Sequence, residues 1–221
     1  MAGARWATFD CYGTLIDWNA GISAVLARLF GAQRAPELLT RYHELEPEVQ
    51  GEEYRSYAAV LRLTLERLAA EADRALTEDE AAALVGSLPE WPPFPEVPGS
   101  LEELRRHGWK LAVLSNSDRG LIAASQRALG VEFDAIVVAE DTGSYKPAHS
   151  HWLRFAELAA PAPGRHVHVA ASHFHDIVPA RVLGLRSVWI NRLGEAADPS
   201  PTRELPDLTE LPATLEELAP A

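Results

Sequence analysis

Trp6-Ala7-Thr8-Phe9-Asp10-Cys11-Tyr12-Gly13-Thr14 is the stretch whose reading decides the fold. Its first four residues form a short, apolar, β-prone run that ends abruptly on an acid, and Gly13 permits a tight turn just beyond it. Similar runs recur at Leu111–Leu114, Ala135–Val138, Val167–Ala170 and Ser187–Ile190. Helix-like segments separate them: Leu101–His107, Leu121–Leu129 with Gly130 as a stop, Trp152–Leu158, and Ile177–Leu183 ended by Gly184. Strands that alternate with helices predict an α/β fold whose parallel sheet is covered on both faces. Ligands of such sheets bind at the carboxyl ends of the strands.

Residues 17–98 break the rhythm. They read as helix throughout, at Ile22–Phe30, Glu37–Glu46, Tyr54–Ala72 and Glu78–Leu84, before the proline-rich stretch Leu88–Gly99. Proline fixes φ and removes a backbone donor, so that stretch reads as a stiff irregular connection. The expected organisation is a core of residues 1–16 and 99–221, with a helical insertion at 17–98 after the first strand. The proline-rich tail from Asp198 reads as a surface strap carrying one short helix.

The formal net charge is -12, which repels phosphate backbones and anionic lipid and argues against nucleic-acid or membrane partners. An anionic small molecule then needs local positive groups. The lone cysteine, Cys11, excludes an internal disulfide, and neither a secretory signal nor a membrane-spanning run is visible, so the cytoplasm is the expected location. Cys11 follows Asp10 in an extended run, so its side chain is expected to point the other way.

Four strand ends carry chemistry: Asp10 with Thr14, Ser115-Asn116, Tyr145-Lys146-Pro147, and Ala171-Ser172-His173-Phe174-His175-Asp176. Each has a plain alternative. Asp10 could cap a turn, Ser115-Asn116 could cap a helix, and Lys146 could be a solvated lysine. The convergence of all four on one crevice is what argues for a site. His166 and His168 alternate on a strand, so they share a face, and packing or surface roles suit them better than ligation. Trp18, Trp91 and Phe94 fall where the helical insertion leaves and rejoins the core, either walling the cleft or packing the hinges.

Together, Asp10-x-Tyr12-Gly13-Thr14, Leu114-Ser115-Asn116, Tyr145-Lys146-Pro147 and Asp176 resemble the four motifs of the haloacid dehalogenase superfamily. The resemblance covers nearly the whole chain and implies a Rossmann-like core with the helical insertion as cap domain. Most members are magnesium-dependent phosphatases with a second aspartate two residues after the nucleophile and another acid five residues before the final one. Here those places hold Tyr12 and Ala171, so the proton carrier and a metal ligand are both missing. Both departures resemble the L-2-haloacid dehalogenase branch, which implies no cofactor and no metal.

The branch implies that Asp10 displaces halide from a small anionic 2-haloacid, forming an ester on the enzyme that water then hydrolyses. Lys146 would hold Asp10 ionised, Thr14 would orient it, and Asp176 would position or activate the water. Ser115, Asn116 and Tyr12 would contact the substrate or halide, and Arg41, on a cap helix expected to face the crevice, would stabilise departing halide. Exposed, Arg41 would instead pair with Glu37 or Glu44. The chain departs from the branch at His173, which stands where an asparagine would orient water, and this histidine could itself activate water. The competing functions are a divergent phosphatase on a small phosphate ester and a silent anion-binding protein. A homodimer is the other expectation of the branch.

Overall fold

The computed structural model describes residues 3–196 and 198–221. Six strands form one fully parallel sheet: β1 (Arg5–Phe9), β2 (Trp109–Ser115), β3 (Ala135–Val138), β4 (His166–Ala170), β5 (Arg186–Ile190) and β6 (Arg203–Leu205), in the order β3-β2-β1-β4-β5-β6. Strand order reverses at β1, which lies between β2 and β4, and a crevice opens at the carboxyl end of such a switch point. Asp10 follows β1 directly, and its N–H donates to Val169 O at 3.1 Å, so the sheet itself fixes the backbone of the acid.

Apart from Lys110 in β2 and Arg186 in β5, every residue of the internal strands is buried, as the short apolar runs require. Alternate residues part into two cores. Trp6, Ala112, Leu114 and Val137 pack on Phe155 of a helix at Ser150–Ala159, while Ala7, Phe9, Val113, Val169 and Val188 join the larger core on the opposite face. Each fully buried apolar side chain of this kind stabilises the fold by about 1.5–3 kcal/mol.

Numbered along the chain, the helices are α1 (Trp18–Phe30), α2 (Ala35–Glu52), α3 (Tyr57–Glu71), α4 (Glu78–Ala81), α5 (Ala83–Ser87), α6 (Val97–Arg106), α7 (Arg119–Leu129), α8 (Ala139–Thr142), α9 (Ser150–Ala159), α10 (Val178–Val182) and α11 (Leu211–Leu218). The first six lie between β1 and β2, the first five of them in the helical insertion. Asp17 starts α1 by accepting from Ala20 N at 3.0 Å, and Thr77 with Glu80 forms a reciprocal capping box at α4. Helix α2 runs six residues beyond the periodic segment Glu37–Glu46, through Pro47. The two crossings between this helical region and the sheet are stitched together: Asp17 N donates to Pro92 O at 2.8 Å and Phe94 N to Leu15 O at 3.1 Å. Asp118, from the loop after β2, accepts from Tyr57 N and Ala58 N at 2.8 and 2.9 Å, placing a carboxylate on the N-terminus of α3.

The tail is more than a strap. Residues 203–205 pair with β5 as a sixth strand, and α11 buries Leu211 and Leu215, while Glu216 accepts from Arg5 at 2.6 Å and from the Trp109 indole at 2.8 Å. The alternating pattern is too short there to show in sequence, because a three-residue edge strand presents little periodicity. The helix expected at Ile177–Leu183 also differs: it is preceded by a wide turn, His173–Ile177, with π-type bonding. No described helix is long and apolar enough to cross a membrane.

Candidate active site

Lys146 organises the site. Its ammonium donates to Asp10 Oδ1 at 2.8 Å, Asp176 Oδ1 at 2.7 Å and Leu114 O at 2.9 Å, which accounts for all three of its protons. The lysine is buried, and burial alone would push its proton off, yet the two carboxylates beside it raise its pKa and keep it charged. Asn116 holds this loop in place. Its amide donates to Lys146 O at 3.0 Å and accepts from Lys146 N at 2.6 Å, so a residue of the β2 end positions the backbone of the lysine.

The other oxygen of the Asp10 carboxylate, Oδ2, accepts from the Thr14 hydroxyl at 2.9 Å, and Thr14 in turn accepts from Ala171 N at 2.9 Å. The turn that lets Thr14 reach back contains Gly13 at φ 86, in the left-handed region that favours glycine. The Asp10 side chain is 12% exposed, open only toward the cavity.

Asp176 is backed by a chain of hydrogen bonds. The Thr8 hydroxyl bonds His166 Nε2 at 2.8 Å and His168 Nδ1 at 2.9 Å, and His168 Nε2 donates to Asp176 Oδ1 at 2.9 Å. The acceptor-only carboxylate sets this sense. Burial pushes the His166 imidazole down to about 3, so it enters the chain uncharged. Burial would raise the Asp176 carboxyl, but Lys146 and the His168 bond outweigh it and hold the group down to about 2. Asp176 Oδ2 is buried and takes no hydrogen bond from the protein.

A cavity of about 650 Å³ lies over this cluster, between the strand ends and α1–α2. Asp10, Tyr12, Ser115, Asn116, Lys146 and Asp176 all line it. Trp18 and Phe94 wall it as well, whereas Trp91 is buried against Tyr12 with ring centroids 5.9 Å apart. Tyr12 stacks on Tyr57, and its hydroxyl meets Ser125 Oγ at 3.1 Å. Burial raises its phenol well above the ordinary range, so Tyr12 is a neutral wall and no proton carrier. Burial also pushes the Cys11 thiol up and keeps it from being a nucleophile.

The family model described as haloacid dehalogenase-like hydrolase matches residues 4–184. This chain belongs to the haloacid dehalogenase-like hydrolases. An (S)-2-haloacid dehalogenase of Pseudomonas sp. (strain YL) is 31% identical over 94% of this chain and 91% of its own. A haloacetate dehalogenase of Moraxella sp. (strain B) is 29% identical over 86% and 87%. Among solved structures, an L-2-haloacid dehalogenase is 27% identical, with a TM-score of 0.83 over 97% of this chain and all of that one.

Two sequence expectations need correction. Arg41 does not face the crevice. It donates to Glu71 at 2.8 and 2.7 Å and to Glu44 at 2.8 Å on the outer surface. At 3.6 residues per turn it falls on the side of α2 opposite His43, Glu46 and Gln50, which do line the cavity. His173 is also directed away. Its Nε2 donates to Pro199 O at 2.8 Å and its ring meets Trp189 edge-on, so it secures the tail. The wide turn at 173–177 turns His175 and Asp176 to the cavity instead. His175 meets Ser172 Oγ at 2.9 Å, and burial lowers its proton affinity.

Sequence reading gave no site role to Glu46, Gln50, His168 or Arg192. The first two had a signal: His43, Glu46, Pro47 and Gln50 form a stripe at helical spacing beside the apolar stripe Leu38, Tyr42, Leu45 and Val49. Glu46 is buried and accepts from the Tyr57 hydroxyl at 2.8 Å; burial raises it to about 7 against that bond. The magnesium that serves many haloacid dehalogenase-like hydrolases does not fit this donor set. Ala171 offers no side-chain oxygen, Lys146 already bridges Asp10 and Asp176, and no cluster of three potential ligands exists among the described residues.

Proposed function

We propose that this member of the family hydrolyses the carbon–halogen bond of a small 2-haloacid through an ester on Asp10, yielding a 2-hydroxy acid and halide. The observation that carries the reading is a carboxylate nucleophile gripped from two sides, by Lys146 and Thr14, next to a Tyr12 that cannot shuttle protons. The relatives named above as 2-haloacid and haloacetate dehalogenases match along most of their length and favour the same chemistry.

In the first step an Asp10 oxygen forms a bond to the halogen-bearing carbon, and the halide leaves with the bonding pair. Lys146 keeps Asp10 anionic for that attack. In the second step water adds to the Asp10 carboxyl carbon and the acyl C–O bond of the ester breaks; one proton of the water goes to the departing hydroxyl of the 2-hydroxy acid, the other is released to solvent, and Asp10 is regenerated as a carboxylate. The unbonded Oδ2 of Asp176 is the acceptor that would orient this water. Its low proton affinity makes Asp176 an orienting group first, and the His175 imidazole, whose proton affinity burial lowers, stands on the same wall. Residues 17–98 would serve as the cap that shields both steps from bulk water. Tyr12 and Ala171, where the phosphatase alternative needs acids, favour the dehalogenase reading over it.

The test is halide release from chloroacetate, fluoroacetate and both enantiomers of 2-chloropropionate with chelator present, in parallel with phosphate esters plus magnesium. Halide release that disappears in Asp10→Asn is expected. Phosphate release without halide release would refute the reading.

A further inference from the structure

Asp176 is held unevenly. Both hydrogen bonds that it takes from side chains fall on one oxygen: Lys146 Nζ and His168 Nε2 donate to Oδ1 at 2.7 and 2.9 Å. Oδ2 is enclosed and takes none from the described residues. The backbone does not set the plane of this carboxylate, because the terminal torsion of aspartate is broad and roughly two-fold. Lys146 does not set it alone, since an ammonium is a compact charge with rotatable donors that either oxygen can approach. The second donor, an imidazole N–H with a single direction, is what commits Oδ1 and leaves Oδ2 over.

The imidazole is itself locked. His168 lies in β4, fully buried, and the sheet register sets it beside Thr8 of β1, whose hydroxyl meets the ring at Nδ1 at 2.9 Å. The same hydroxyl meets His166 Nε2 at 2.8 Å. Trp152 of α9 packs edge-on against the His168 ring, with centroids 5.3 Å apart and planes at 75°. Turning the ring would break the bonds at Nδ1 and Nε2 together. Packing alone does not call for a histidine here, because the same sheet face is filled by Ala112 and Leu114 next door. A buried imidazole costs desolvation, which its two polar partners offset.

We propose that His168 is a positioning residue for ester hydrolysis: together with Lys146 it fixes Oδ1 of Asp176, so that Oδ2 stays in place as the acceptor for the hydrolytic water. Thr8 serves the same end by holding the ring. The inference rests on the dehalogenase reading and assigns His168 to its second step. Ester formation depends on Asp10, which is gripped separately by Thr14 and Lys146.

The experiment follows a single turnover of 2-chloropropionate with enzyme in excess, for the wild type, His168→Asn and His168→Gln. Halide release reads ester formation; release of the 2-hydroxy acid, with the mass of the peptide that carries Asp10, reads ester hydrolysis. The amide nitrogen of asparagine reaches about as far as Nδ1 of the imidazole, so it can meet Thr8 but not Asp176. That of glutamine reaches about as far as Nε2 and can meet Asp176. Asparagine is expected to keep the rate of halide release and to slow hydrolysis about 10- to 100-fold, the range of one hydrogen bond to a charged group, with the ester accumulating on Asp10. Glutamine is expected to recover most of that loss. Equal slowing of both steps, equal losses in the two variants, or unchanged hydrolysis in asparagine overturns the proposal. Should asparagine prevent folding, Thr8→Val, which releases the ring at Nδ1, decides in its place by the same one-sided slowing. A wild type that forms no ester refutes the dehalogenase reading and this inference with it, whereas normal wild-type turnover with any of the overturning patterns refutes this inference alone.

Discussion

Replacing Glu46 by glutamine tests the most unusual group in the cavity. Glu46 is 5% exposed, and its ordinary carboxyl value of 4.5 is raised to about 7 by burial, with the Tyr57 bond opposing. Below pH 4.5 the group is protonated in both the folded and unfolded chain and contributes nothing to pH dependence. Between 4.5 and 7 the unfolded chain loses its proton while the folded chain keeps it, so stability falls as pH rises. Above 7 both are ionised and the loss is complete. At 1.36 kcal/mol per pH unit the full effect is about 3 kcal/mol. Glutamine retains the acceptor for Tyr57 and cannot ionise, so Glu46→Gln should match the wild type near pH 4 and exceed its stability by about 3 kcal/mol at pH 8. Urea unfolding at a series of pH values reads this directly. A difference that is the same at pH 4 and pH 8 would refute a buried, titrating Glu46.

Other expectations follow from the contacts. Lys146→Met leaves the carboxylates of Asp10 and Asp176 buried without their shared cation, and should cost about 3–5 kcal/mol in thermal or urea unfolding and abolish halide release. Arg41→Ala removes only exposed ion pairs, so kcat/KM is expected to stay within about twofold of wild type; a hundredfold fall would restore Arg41 to the site. Gly21→Ala drives a methyl into the Trp91 ring at the crossing between the helical region and the sheet, and should destabilise by about 1–3 kcal/mol, seen as a lowered Tm.

The sheet was legible because a parallel strand buried on both faces must be a short, continuously apolar run, and five such runs stand out between helical segments. The polar ends of those runs marked Asp10, Ser115, Asn116, Lys146 and Asp176, because strand polarity and alternation alone bring them to one edge. The sixth strand escaped notice because three residues at a sheet edge need only satisfy one neighbour. Side-chain direction was another matter. Which face of α2 meets the cavity depends on how that helix rolls on α1 and α3, and that roll puts Arg41 outside and Glu46 inside. Whether His173 or His175 faces the water depends on one wide turn. Arg192 had no site role from sequence, and its place beside Thr14 and Phe94 exists only because β5, the β1 turn and the returning linker converge. The strand-end residues that line the cavity were therefore written in the strand pattern, while the helix and turn residues around them were settled by packing, since helix rotation and turn geometry are global compromises of burial that no short window of sequence contains.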